Sequence, residues 1–168
     1  NCLCIAGDHQ SFGAAGRLKG HPGAKNVYDI DSIQLLSVLR GLRDEGIQQG
    51  GDPVEKRPEL FIGAAWTPLG DPIIFRPTRL KKKVDAGADF IQTQGVYNIE
   101  AFKNQMKIVV DMGLHERTAI LAGIIVPKNL GMLKYMNSSV AGVYVPEKIL
   151  KRMEKARTTA GNDKKQAS

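Results

Sequence analysis

What is scarce in this 168-residue chain narrows the field before anything that is present. It has two cysteines, Cys2 and Cys4, a single tryptophan, and aromatic residues at only 6%. The two thiols stand two residues apart in an apolar run that reads as a strand, so both point to one face. No Cys or His partner lies nearby at zinc-like spacing, and His9, His21 and His115 form no spaced ligand set, so no metal site is expected. Reduced, buried thiols suit a cytoplasmic protein. No apolar run reaches the roughly 20 residues that cross a bilayer, and no basic segment leads into a long apolar stretch. Neither a membrane span nor a secretory signal is therefore expected. The phosphate loops GxGxxG and GxxxxGK[ST] are both missing, which counts against a nucleotide-binding doubly wound sheet. A starting methionine is also missing, which fits processing or a fragment.

Basic charge, by contrast, is in excess. Lys and Arg number 24 against 17 Asp and Glu, a formal net charge of +7. Much of the excess lies in Lys81-Lys82-Lys83 and in Lys148, Lys151, Arg152, Lys155, Arg157, Lys164 and Lys165. Such a balance favours anionic partners. Nucleic acid is not expected, because no glycine-aromatic motif of a nucleic-acid fold occurs. The plain reading is a solvated helix face and a loose tail. The sharper one has some lysines meeting phosphates of a dinucleotide or the glutamates of a folate.

Short apolar runs alternate with longer amphipathic ones. Leu3-Cys4-Ile5-Ala6, Leu60 to Ala65, Phe90 to Gln94 and Ala119 to Ile124 read as buried strands, and Ala141 to Val145 as a fifth. Between them, Asp31 or Ser32 can cap a helix carrying Ile33, Leu36 and Leu39. A second helix runs from near Pro77 to Ala86 and stops at Gly87; a third starts at Asn98 and stops at Gly113. A short helix holds Leu130, Leu133 and Met136, and Pro146 opens the last one. Repeated strand-then-helix units argue for a parallel sheet flanked by helices, either doubly wound or a (β/α)8 barrel. A full barrel takes about 250 residues, so this chain supplies roughly half to two thirds of one. Residues 1–157 are expected to form the partial barrel domain, and 158–168 a polar, disordered tail.

Barrel enzymes gather their chemistry where strands end. Here those places hold Gly7-Asp8-His9-Gln10, Ala64-Ala65-Trp66, Gln92-Thr93-Gln94 and Gly123-Ile124. Asp8, an acid directly after a buried strand, either caps the next turn or works at the barrel mouth. Gln94 can donate and accept, which suits the edge of a planar heterocycle, or simply a loop hydrogen bond. Gly13 to Gly23 is a glycine- and alanine-rich loop that reads as a lid or as disorder.

Several stretches together resemble the methylenetetrahydrofolate reductase family. They are Asn1 to Gln10, His21-Pro22 with Ala24 to Leu35, Ile62-Gly63-Ala64-Ala65, and Lys82-Lys83-Val84 leading through Ala86 to Gln94. Ile120 to Ile124 and Gly142 to Pro146 complete the set, so the resemblance covers about residues 1–153. It implies a (β/α)8 TIM barrel of which this chain covers roughly strands 4 to 7. It also implies FAD across the C-terminal mouth and reduction of 5,10-methylenetetrahydrofolate to 5-methyltetrahydrofolate, with NAD(P)H or another electron donor. By motif, Ala6, Gly7 and Asp8 match strand-end residues that touch the flavin. Asp8 matches the catalytic carboxylate near flavin and pterin, where a negative charge stabilises the cationic iminium of the folate. Gln94 matches the glutamine that contacts folate and nicotinamide, and Met132 falls near a folate-contacting position. Lys83, Tyr28 and Asp29 match cofactor-binding residues.

There are departures. The family's glutamate general acid belongs to the first strand, while this chain begins around the fourth. Gly13 to Gly20 looks like an insertion, Trp66-Thr67-Pro68 replaces small or acidic residues before Asn-Pro, and Gly95 stands where Cys or Phe occurs. An open half-barrel implies a homo-oligomer or a multi-subunit complex. The alternative reading is a non-catalytic, complementing half-barrel subunit that docks with a partner chain.

Overall fold

In a computed structural model, residues 1–6 and 29–166 are described, with side chains through Arg157 and Thr158. The apolar runs form four strands: β1 (Cys2–Cys4), β2 (Ile62–Trp66), β3 (Phe90–Gly95) and β4 (Ala119–Gly123). They pair in chain order, β1-β2-β3-β4, and every pairing is parallel. The sheet is the parallel α/β arrangement expected from the alternating pattern.

Five helices follow the strands: α1 (Ser32–Arg40), α2 (Arg76–Asp85), α3 (Ile99–Asp111), α4 (Leu130–Ser139) and α5 (Glu147–Gln166). Their ends are set by local chemistry. Asp31 closes a capping box, its carboxylate accepting from the backbone of Ile33 and Gln34 while Gln34 accepts from Asp31 N. The Asn98 side chain accepts from Ala101 N at the start of α3. Gly87 and Gly113 follow α2 and α3 at φ +108° and +66°, where a side chain would be strained. α5 is helical through Gln166, so the backbone stays regular past Thr158, where composition predicts an unstructured tail.

One expected strand does not form. Ala141 to Val145 is a turn followed by irregular chain. Gly142 sits at φ +76°, and a Cβ there would stand 2.0 Å from Thr67 Cγ2 and 3.2 Å from Gly70 N. The segment docks against the loop after β2 instead of joining the sheet. Its valines remain buried, packed with Leu133 and Met136 in a small cluster beneath α5.

The main core lies between the sheet and α1 to α3. Cys4, Ile62, Ala64, Trp66 and Ile91 point from the strands to meet Leu36, Leu80, Val84 and Val109. At the start of the sheet, Asp89 accepts from Arg43 Nη1 at 2.6 Å and from Ile62 N at 2.8 Å. That clamp joins the helical segment after α1 to β2 and β3. Among the described residues, no helix packs on the other face of the sheet. Among the described residues no helix is long and apolar enough to cross a membrane.

Candidate functional site at the strand ends

A cleft of about 450 Å³ opens at the C-terminal ends of β1, β2 and β3. Cys4, Ile5, Ala6, Ala65, Trp66, Thr67 and Gln94 line it from the strand side. Ser32, Arg76, Arg79 and Lys83 line it from α1 and α2. Three basic side chains at positions 76, 79 and 83 fall on one face of a helix, because residues three and four apart are neighbours there.

Lys83 is the most constrained of them. Its Nζ donates to the backbone carbonyl of Ala65. Burial holds its ammonium below the ordinary lysine range, and the nearby Arg79 and Arg76 push the same way, while Asp31 opposes them. Arg76 is fixed by the loop it serves: its guanidinium donates to the carbonyls of Gly70 and Asp71, and its own carbonyl accepts from Trp66 Nε1 at 3.0 Å. Among the described residues, none of Arg76, Arg79 and Lys83 makes a salt bridge. Uncompensated positive charge beside a partly buried cavity is an attractor for anions.

Gln94 enters the cleft from the end of β3. Its Oε1 takes a 3.3 Å contact from Gly95 N, which leaves the amide NH2 free to donate into the cleft. Thr93 turns the other way, is buried, and holds β4 through Gly123 N at 2.8 Å. Trp66 also faces away from the mouth, 2% exposed and packed on Phe102 with ring centroids 6.4 Å apart. The Trp-for-small departure at this position therefore fills the helix layer, and only part of it reaches the cleft.

Of the residues singled out in the sequence, Ala6, Lys83 and Gln94 meet in this cleft. Asp29 is exposed and is not among the described lining residues. Neither is Met132, whose backbone N–H is capped by Asn129 Oδ1 at 2.8 Å and whose side chain packs with the small cluster. Gly7, Asp8 and Tyr28 lie outside the described residues, as does the Gly13 to Gly23 loop. Arg76 and Arg79 were not foreseen. Their three- and four-residue spacing to Lys83 is the signal in the sequence that marks them, whereas of the contiguous Lys81-Lys82-Lys83 run only Lys83 lines the cleft.

The model of the methylenetetrahydrofolate reductase family matches residues 70–167, more than half of the chain. The chain belongs to that family. Members of the family are oxidoreductases of folate-linked one-carbon metabolism, and they generally bind a flavin. The matched stretch takes in α2, β3, α3, β4, α4 and α5 up to Gln166, and so Lys83 and Gln94 as well. A comparison with curated proteins gives no match.

Proposed function

We propose that the four-stranded sheet is part of a (β/α)8 barrel, its strands 4 to 7, and that the cleft is the mouth of a flavin-dependent methylenetetrahydrofolate reductase site. The observation that carries this reading is the meeting of Lys83, Arg79 and Gln94 at the strand ends, where barrel enzymes place their chemistry. The residues present fit FAD. Lys83 and Arg79 make no salt bridge among the described residues and offer cationic donors for phosphate oxygens, and the small Ala6 and Ala65 line the strand ends where a flat ring would lie.

Each side chain has a definite task. FAD, when bound, supplies the hydride chemistry; the protein binds, orients and tunes. Lys83, held against Ala65 O, keeps donors free to grip a phosphate with little reorganisation. Gln94 donates and accepts at the edge of a pterin or a nicotinamide. The Asp8 carboxylate stabilises positive charge on the iminium form of the folate. Asp29, Tyr28, Gly7 and Met132 belong to the same reading, through the motif alone. The electron donor is NAD(P)H or a comparable reductant. The domain runs over 1–157, and the protein works in the cytoplasm.

The test is the Asp8→Asn variant of the flavin-loaded enzyme. Folate reduction should slow by roughly 100-fold, the range of a lost charge-stabilising group, while flavin affinity stays within a few-fold. Unchanged folate kinetics would remove Asp8 from the mechanism.

A further inference from the structure

β1 with β2 and β2 with β3 keep their register throughout, but β3 with β4 does not. Gln92 pairs with Leu121, and the next pair is Gly95 with Gly123. Three steps along β3 therefore match two along β4, so Thr93 and Gln94 together stand opposite Ala122. That is a bulge, a device that re-aims side chains beside functional sites and is rare between parallel strands. Of the two glutamines on β3, Gln92 does not line the cleft and Gln94 does. The extra residue falls at the step where Gln94 turns into the cleft.

Thr93 holds this bulge from within the protein, being 5% exposed. Its Oγ1 accepts from Gly123 N at 2.8 Å and donates to the carbonyl oxygen of Gln94 at 2.9 Å. A regular ladder would offer Gly123 N a main-chain carbonyl, and here a side-chain oxygen stands in for it. The ladder resumes where Val96 N donates to Gly123 O at 2.9 Å. Gly123 leaves no room for a side chain: a Cβ would stand 2.5 Å from Thr93 O and 3.0 Å from Gln94 O, both backbone atoms. The main chain of Gln94 is thus held by Thr93 and pressed against β4. Its side-chain Oε1 in turn faces Gly95 N at 3.3 Å.

We propose that Thr93 is a positioning residue for Gln94, its hydroxyl holding the bulge that sets the direction in which the Gln94 amide meets substrate. A side chain that reads a planar edge by donating and accepting works only within a narrow range of angles. A strand end is where the backbone gains freedom, and the Thr93 hydroxyl removes it there. Packing alone does not call for a hydroxyl, because burying one is costly unless it is bonded. Both of its bonds go to the backbone that shapes the bulge, Gln94 on one side and Gly123 on the other. Thr93 does not itself line the cleft, so it acts through Gln94. The inference rests on the reading of Gln94 as the residue at the edge of the pterin or nicotinamide, and adds what fixes its geometry.

The experiment compares Thr93→Val, Thr93→Ser and Gln94→Ala, with far-ultraviolet circular dichroism as the folding check. Two readouts need no substrate: hydrogen exchange at the Gly123 amide, and the side-chain amide resonances of Gln94. Gly123 should exchange slowly in wild type and Thr93→Ser, and roughly 10-fold faster in Thr93→Val. The Gln94 resonances should move in the valine variant alone. In the flavin-loaded enzyme, Thr93→Val should slow folate reduction by about 10-fold, as misplaced reacting groups do, with FAD affinity within about two-fold. Combined with Gln94→Ala it should add nothing, because both changes remove one function. Unmoved Gln94 resonances in Thr93→Val would overturn the proposal, and so would an undiminished folate rate there while Gln94→Ala is slow. A loss that adds in full to that of Gln94→Ala would do the same. If the valine variant does not fold, fast Gly123 exchange in wild type, or displaced Gln94 resonances in Thr93→Ser, would overturn it instead. A Gln94→Ala enzyme that reduces folate at the wild-type rate refutes the functional reading of Gln94, and the two substrate-free readouts still decide whether Thr93 positions it.

Discussion

Lys83 Nζ donates to the carbonyl oxygen of Ala65, tying the middle of α2 to the end of β2. The bond holds a charged group at the lip of the cleft with donors to spare. It also explains how a lysine is kept there despite the desolvation that weakens its charge.

Replacing that lysine tests the anion site. Lys83→Gln removes a charge-assisted contact worth about 1.5–3 kcal/mol, so FAD affinity should fall by roughly 10- to 100-fold. Fluorescence titration of the flavin measures it. An affinity within two-fold of wild type would show that Lys83 does not meet the phosphates.

The same residue sets a pH dependence. Its pKa is lowered from 10.5, so the charge is lost earlier in an alkaline titration than for an ordinary lysine. An anionic ligand favours the charged form, so affinity should weaken as pH rises through that lowered pKa. The slope should vanish in Lys83→Gln. A slope that persists in the variant would assign the effect to another group.

The two cysteines should differ in reactivity. Cys4 is 1% exposed, and burial, with Cys2 beside it, pushes its thiol up to about 11. The thiolate is the nucleophile, so near neutral pH iodoacetamide should label Cys2 well before Cys4 in the folded chain. The sign for stability follows. Folding holds the Cys4 proton that the unfolded chain releases from 9.0 upward, so this contribution is intact below 9.0 and is lost as pH rises towards about 11. Peptide mapping after brief labelling reads the first effect; equal labelling of both thiols would contradict the buried position of Cys4.

Asp89 is expected to matter for stability rather than chemistry. Asp89→Ala leaves Ile62 N and the Arg43 guanidinium without their shared acceptor at the start of the sheet. Lost hydrogen-bond partners of this kind cost about 1–3 kcal/mol. Urea unfolding should show a lower midpoint with an unchanged slope. An unaltered midpoint would mean the clamp is not needed.

Features set by neighbours in sequence were legible, and those set by distant contacts were not. Asp31, Asn98, Gly87 and Gly113 end helices through local geometry, and all four could be read from spacing. The strands were equally visible as continuous apolar runs, because the paired core positions draw the same residue types. Ala141 to Val145 carries such a run too, but it packs on α4 and α5, and the close approach of Gly142 to Thr67 keeps it out of the sheet. Lys83 and Gln94 came from motif resemblance, which sees positions and not partners. Arg76 and Arg79 needed the fold, since only the cleft shows which basic residues of α2 converge and which face solvent.

The central claim is that this chain holds a flavin at its strand ends, and the most direct measurement is the visible absorbance of the purified chain titrated with FAD. The account predicts a saturable, protein-bound flavin spectrum that bleaches on chemical reduction. A folded chain that leaves FAD free at every concentration would contradict it.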